Sequence, residues 1–333
     1  MPRSRTVPWV ETGRLQSPSR VLVVIQLTGG NDALNTVIPV RSDAYYRSRA
    51  GLGIAPKASL RINDDFSLHP ALTGLKSLYD QGFAAVVQGV GHPNPNRSHF
   101  KSMDIWHTAS PEGRLASGWL GRYLDGHEIR AGFSVLPPVS RPCLANTAGV
   151  VLTPEIPLAM CGLTIPMPMD DLPNTLTGRL RAVSAMIASG SPARVYYVSQ
   201  AGYDTHVDQA DRHRRLLAEL DKAIGDFVAE LRSARALDRV LVMTFSEFGR
   251  SIAENASGGT EHGEAGVMFL IGPKVRPGLH GQAPSPDATD DPQAGLPWTT
   301  DFRRVYAAVL EDWLAVDPTP LLAARFRPLP VIA

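Results

Sequence analysis

The stretch VLVVIQLTGGND, residues 21–32, decides the fold. Val21–Leu27 is an unbroken apolar run rich in β-branched residues, and it ends at Thr28-Gly29-Gly30-Asn31-Asp32. A run that is apolar at successive positions, not alternate ones, fits a strand covered on both faces, as in a parallel sheet. Ala84–Val90, Arg194–Ser199, Val240–Phe245 and Val267–Ile271 read the same way. Helical spacing fills the intervals. Leu216, Leu217, Leu220, Ile224, Phe227, Val228 and Leu231 share one face, and a similar stripe runs from Phe302 to Leu314 behind Thr300 and Asp301 as N-caps. Strands alternating with helices predict an α/β fold, a three-layer α/β/α sandwich around a largely parallel sheet.

Composition supports a packed chain. Of 333 residues 44% are hydrophobic, enough for a substantial core, which excludes a disordered protein. Lys and Arg number 33 against 32 Asp and Glu, so the basic excess of a dedicated nucleic-acid binder is absent. No apolar run approaches the ~18 residues of a membrane span. Cys143 and Cys161 are too few for a disulfide framework or a cysteine zinc cluster. Residues 1–18 are basic and polar without an apolar segment, so they read as a surface arm, and the expected location is cytoplasmic. Residues 19–333 read as one domain. Proline is dense over 137–175, which forbids regular helix and central strand there, so a cap or insertion over about 130–180 is expected. Residues 273–297 read as a polar surface excursion.

The polar clusters fall at the strand ends. Val21–Leu27 runs into Asp32, Ala84–Val90 into Ser98 and His99, Arg194–Ser199 into Asp204 and His206, and Val240–Phe245 into Glu247 and Arg250. In an open parallel sheet the carboxyl ends of the strands share one edge, where ligands bind. A further cluster, Gly258-Gly259-Thr260-Glu261-His262-Gly263, precedes the last strand and can fold back to that edge. Carboxylates crowded together repel unless a cation holds them ionised. A divalent ion is therefore expected on Asp32, Asp204, His206, Glu247 and His262. Mixed Asp, Glu and His donors suit zinc or manganese, with magnesium or calcium as further options. Each residue also has a plainer reading: Asp204 as a cap for the helix near Asp208, Glu247 as a buried partner of Arg250, Ser98 as a helix N-cap.

Ser98 begins a helix expected over Ser98–Thr108, where unpaired amides favour anions, so Ser98 and His99 are the candidate catalytic pair. Asn31, Asn35, Arg97 and Arg250 are candidate contacts for a small anionic substrate. There is no Gly-x-Gly-x-x-Gly, no Walker loop and no Gly-x-Ser-x-Gly elbow.

VLVVIQLTGGNDALNTVIPV, VVQGVGHPNPNRSHFKSMDIWHTA, GYDTHVDQ, VLVMTFSEFGRSIAENASGGTEHG and TTDFRRVYAAVLEDWLAVD resemble a bacterial family, domain of unknown function fifteen-oh-one, over residues 20–316. That family is grouped with the alkaline phosphatase and sulfatase superfamily, whose members act on phosphate and sulfate esters. The resemblance implies metal roles for Asp32, Asp204, His206 and His262, and a nucleophile at Ser98. Glu247-Phe248 stands where the superfamily has Asp-His, which leaves one or two ions. The sulfatase Cys/Ser-x-Pro-x-Arg motif is absent. Two readings follow: a metal-dependent hydrolase or transferase of a phosphate ester or similar anionic ester, or a non-catalytic metal-binding scaffold on the same fold.

Overall fold

The computed structural model describes residues 20–115, 117–128, 149–152, 163–164, 173–288, 291 and 293–333. The arm over 1–18 and most of the proline-rich cap expected over 130–180 lie outside them; within the segment read as closed to central strands, Gly149–Leu152 is nevertheless a sheet strand paired on both sides, because its own four residues contain no proline.

The first strand, Val21–Thr28, sits in the middle of a nine-stranded sheet. It pairs in parallel with Val195–Ala201 on one side and Val240–Phe245 on the other. Beyond Val195–Ala201 come Gly149–Leu152 and Leu163–Thr164, also parallel. Beyond Val240–Phe245 comes Gly266–Ile271, antiparallel to both its neighbours, and then Ala84–Gly91. The five strands read from the sequence all form, within two residues at either end. The excursion over 273–297 is more than surface chain: its Gly278–His280 segment adds a parallel edge strand beside Ala84–Gly91. Such a short segment carries no periodicity of its own, and pairing with a neighbour makes it a strand.

Both faces of the sheet are covered, which is why its strands are apolar throughout. Val21, Val23, Ile25 and Leu27 point into a core shared with helices Thr73–Asp80, Leu176–Ala188 and Gln209–Ser233. Leu22 and Val24 point the other way, against His99–Thr108, Trp119–Glu128 and Phe302–Ala308 with its π-helical continuation Val309–Trp313. Burying each of these side chains is worth about 1.5–3 kcal/mol, so the alternation within one strand ties two helical layers to a single sheet. Asp301 caps its helix as expected, accepting from the Arg303 amide at 2.9 Å. Among the described residues no helix is long and apolar enough to cross a membrane.

Topology then fixes the functional edge. Every strand of the sheet except Gly266–Ile271 runs in one direction, so their carboxyl ends share a side. The reversed strand brings its amino end there, and with it the hairpin of Arg250–Glu254 and Thr260–His262. Two glycines let the chain close up at this edge. A Cβ on Gly29, whose φ is +120°, would lie 2.3 Å from the Asp204 amide nitrogen, and one on Gly259 would lie 2.2 Å from the His206 carbonyl carbon.

Candidate metal centre

Four side chains from three separate segments converge at the edge: a helix start, a loop after a strand, and a strand of the hairpin. Donor atoms of His99, Asp204 and His262 all lie within 4.8 Å of one another. His206 joins them, its Nε2 3.0 Å from both the Asp204 carboxylate and the His262 Nε2. His262 Nε2 is 3.1 Å from the same Asp204 oxygen, and His99 Nε2 is 3.5 Å from the other.

Each imidazole is held from behind. His99 Nδ1 donates to Glu247 Oε1 at 2.7 Å, and His262 Nδ1 donates to the Arg97 carbonyl at 2.9 Å. His206 Nδ1 stands 2.9 Å from Glu261 Oε2. A ring whose Nδ1 carries the proton presents a lone pair at Nε2, so three lone pairs face the Asp204 carboxylate. Two imidazole lone pairs 3.0 Å apart repel unless a cation sits between them. His99 Nε2 adds a second sign, being buried without a hydrogen-bond partner. Ligand atoms about 2.0–2.1 Å from a tetrahedral ion lie about 3.3 Å from each other, close to the 3.0–3.1 Å spacings at Asp204. The residues present thus fit a divalent ion, and a carboxylate or carbonyl behind each ring is the support that ligating histidines ordinarily have.

Charge at the site is set by a few contacts. The hydrogen bond to Glu247 raises the pKa of His99, with burial opposing. Burial pushes the Asp204 carboxyl up, but the hydrogen bond and charge of Arg250 oppose it and the net shift is downward. Arg250 Nη1 donates to Asp204 at 2.9 Å, while Nη2 is buried without a partner.

The other residues singled out from the sequence fall into two groups. Asp32 lies outside the ring of donors. It caps the short helix Ala33–Thr36, accepting from the Leu34 and Asn35 amides, and it pairs with Arg49 Nη1 and Gln209 Nε2 at 2.5 Å each. Burial would raise its pKa; the charge and hydrogen bond of Arg49 win, and the net shift is downward. Glu247 stands behind His99 and accepts from the Gly29 amide at 2.9 Å, and Arg250 pairs with Asp204 instead of with it. Asn31 and Asn35 are buried. Asn31 Oδ1 accepts from His213 at 2.9 Å, and Asn35 bridges Tyr45, Arg49 and the Leu52 carbonyl. Arg97 is exposed and gives its carbonyl to His262.

Ser98 occupies the N-cap position of His99–Thr108, yet its side chain makes no capping bond. Asp204 does not cap the long helix that begins at Gln209. Asp208 holds that position with a positive φ of 49°. Glu261, Gln209 and Arg49 were not singled out from the sequence. Glu261 lies within the quoted Gly-Gly-Thr-Glu-His-Gly cluster and Gln209 ends the quoted GYDTHVDQ motif; nothing local marks Arg49.

The family described as "Protein of unknown function (DUF1501)" matches residues 176–293, which bears out the resemblance over that segment. A search of curated proteins found no match. Among solved structures the chain is similar to the lipoteichoic acid synthase LtaP from Listeria monocytogenes, with 8% identity, TM-score 0.48, and 90% of this chain and 73% of that chain covered. It is similar to a protein in the alkaline phosphatase superfamily from Vibrio parahaemolyticus at 11% identity and TM-score 0.41, covering 78% of this chain and 62% of that one. The C-terminal periplasmic domain of EcEptC from Escherichia coli, in complex with Zn, has 10% identity and TM-score 0.42, with 79% and 74% covered. These likenesses are loose, and no residue role is carried across from them.

Proposed function

We propose, for a chain whose residues 176–293 match this family of unknown function, that the sheet edge is the active site of a metal-dependent hydrolase or transferase acting on a phosphate ester or a similar small anionic ester. The observation that carries the reading is the convergence of three imidazole Nε2 atoms on the Asp204 carboxylate, with an arginine beside it. Asp204, His99, His206 and His262 would hold the ion, and nitrogen with carboxylate donors favours zinc or manganese. When bound, such an ion supplies Lewis-acid polarisation of an ester oxygen. Glu247, Glu261 and the Arg97 carbonyl keep the rings aimed. Arg250 offers a cation with an unfilled donor, matched to an oxyanion. Ser98 supplies the attacking hydroxyl: it is exposed, free of any capping bond, adjacent to His99, and placed where helix amides favour anionic groups.

Turnover of p-nitrophenyl phosphate and bis(p-nitrophenyl) phosphate by zinc- or manganese-loaded protein tests this. The expected result is turnover by the wild-type chain and none by Ser98→Ala, at unchanged metal content. Stability of that variant should move by less than about 0.5 kcal/mol, because no cap bond is lost. Metal-loaded wild type that turns over neither ester would sink the reading. A fully active Ser98→Ala would remove the serine from it.

A further inference from the structure

A chain of buried hydrogen bonds leads away from Arg250, and its direction is fixed at every step. Gln209 is wholly buried at the start of the long helix Gln209–Ser233. Its Nε2 donates to Asp32 Oδ2 at 2.5 Å, an acceptor that also takes Arg49. Its Oε1 therefore faces away from that carboxylate, accepting from Thr205 Oγ1 at 2.9 Å and from Thr260 Oγ1 at 2.5 Å. With its hydrogen committed to Gln209, Thr260 Oγ1 has only lone pairs left, and one takes Arg250 Nε–H at 3.1 Å. Turning the amide over would set Oε1 against the Asp32 carboxylate, so one orientation is stable.

Arg250 is thus clamped on two of its three nitrogens, Nε by Thr260 and Nη1 by Asp204, and its Nη2 is left buried with no partner. A guanidinium only 2% exposed with an unfilled donor is costly unless a ligand completes it. We propose that Gln209 is a positioning residue, which holds Arg250 through Thr260 so that the unfilled edge of the guanidinium is presented to the oxyanion of the substrate. What Arg250 binds rests on the proposed function; how Arg250 is held does not.

Three variants separate the two: Gln209→Leu, Thr260→Val and the conservative Thr260→Ser. For each, three quantities are read: hydrogen-exchange protection of the Arg250 Nε–H by nitrogen-15 NMR, calorimetric affinity of metal-loaded protein for inorganic phosphate, and metal content. Gln209→Leu and Thr260→Val should lose the protection and bind phosphate about tenfold more weakly, at unchanged metal content. Thr260→Ser keeps the hydroxyl and should restore both. If Gln209→Leu fails to fold, the two threonine variants carry the same test. Wild type that binds no phosphate, with protection still lost in the variants, would support the positioning role while removing the oxyanion as its purpose. Arg250 Nε–H fully protected in both disruptive variants, with phosphate affinity within about twofold of wild type, would overturn the proposal.

Discussion

Two neighbouring strands each deliver an aspartate to the same edge, and the two carboxylates have opposite fates. Val21–Thr28 and Val195–Ala201 are hydrogen-bonded partners, with Thr28 opposite Ala201. After the first, Asp32 is sealed at 1% exposure, its oxygens taken up by two amides, Arg49 and Gln209. After the second, the Asp204 side chain is 45% exposed and looks onto three imidazoles and one guanidinium. Scaffold and residue type are the same; the difference is what the surrounding chain brings to the lone pairs. A strand-end carboxylate is free to bind an ion only when structural donors have not claimed all of its lone pairs.

The sharpest way to break this comparison is to neutralise each carboxylate in turn. Asp32→Asn strips the counter-charge from a fully buried Arg49 guanidinium, which should cost about 3–5 kcal/mol in urea unfolding. The folded fraction should still take up metal. Asp204→Asn should show the reverse pattern, metal uptake lost at a smaller stability cost, because the carboxylate facing the buried Arg250 is itself 45% exposed. An Asp32→Asn protein that unfolds like wild type but has lost its metal would exchange the two roles.

The next effect tests whether Glu247 supports or ligates. Glu247→Gln keeps the size of the side chain but weakens its hold on His99, so metal affinity should fall about 10–100-fold without being abolished. Complete loss in a titration would make Glu247 a ligand.

How far the sequence led depends on whether partners were local. Apolar runs and their polar ends placed His99, Asp204, His206 and His262 on one edge, because strand direction alone sets that geometry. Asp32 looked equivalent by the same logic. Its sealing partners lie 17 and 177 residues away, so nothing near Asp32 announced them. Glu247 is a related case: its carboxylate turns back to the Gly29 amide and to His99, contacts made only when separate segments meet. Ser98 was placed correctly as an N-cap residue, but whether it caps depends on its rotamer, and in the structure it does not.

The smallest effect contrasts the open histidines with a closed one. His107 is packed away from the edge against Tyr197 and Phe245, and burial lowers its pKa from 6.5 to about 4. The folded value lies below the unfolded one, so the unfolded chain binds the proton first as pH falls. Stability from this group is complete above about pH 6.5 and is lost progressively toward pH 4. Urea midpoints measured across that window should therefore decline, and His107→Gln, which cannot take the proton, should flatten part of the slope. An unchanged slope would place the acid sensitivity elsewhere.

Metal uptake at Asp204 is the most direct test of all. Protein stripped with chelator and then titrated with zinc or manganese should bind the ion in the wild type and in folded Asp32→Asn, and should fail to bind it in Asp204→Asn and in the double variant His99→Ala/His262→Ala. No uptake by wild type, or undiminished uptake by Asp204→Asn, would contradict the assignment of this edge as a metal centre.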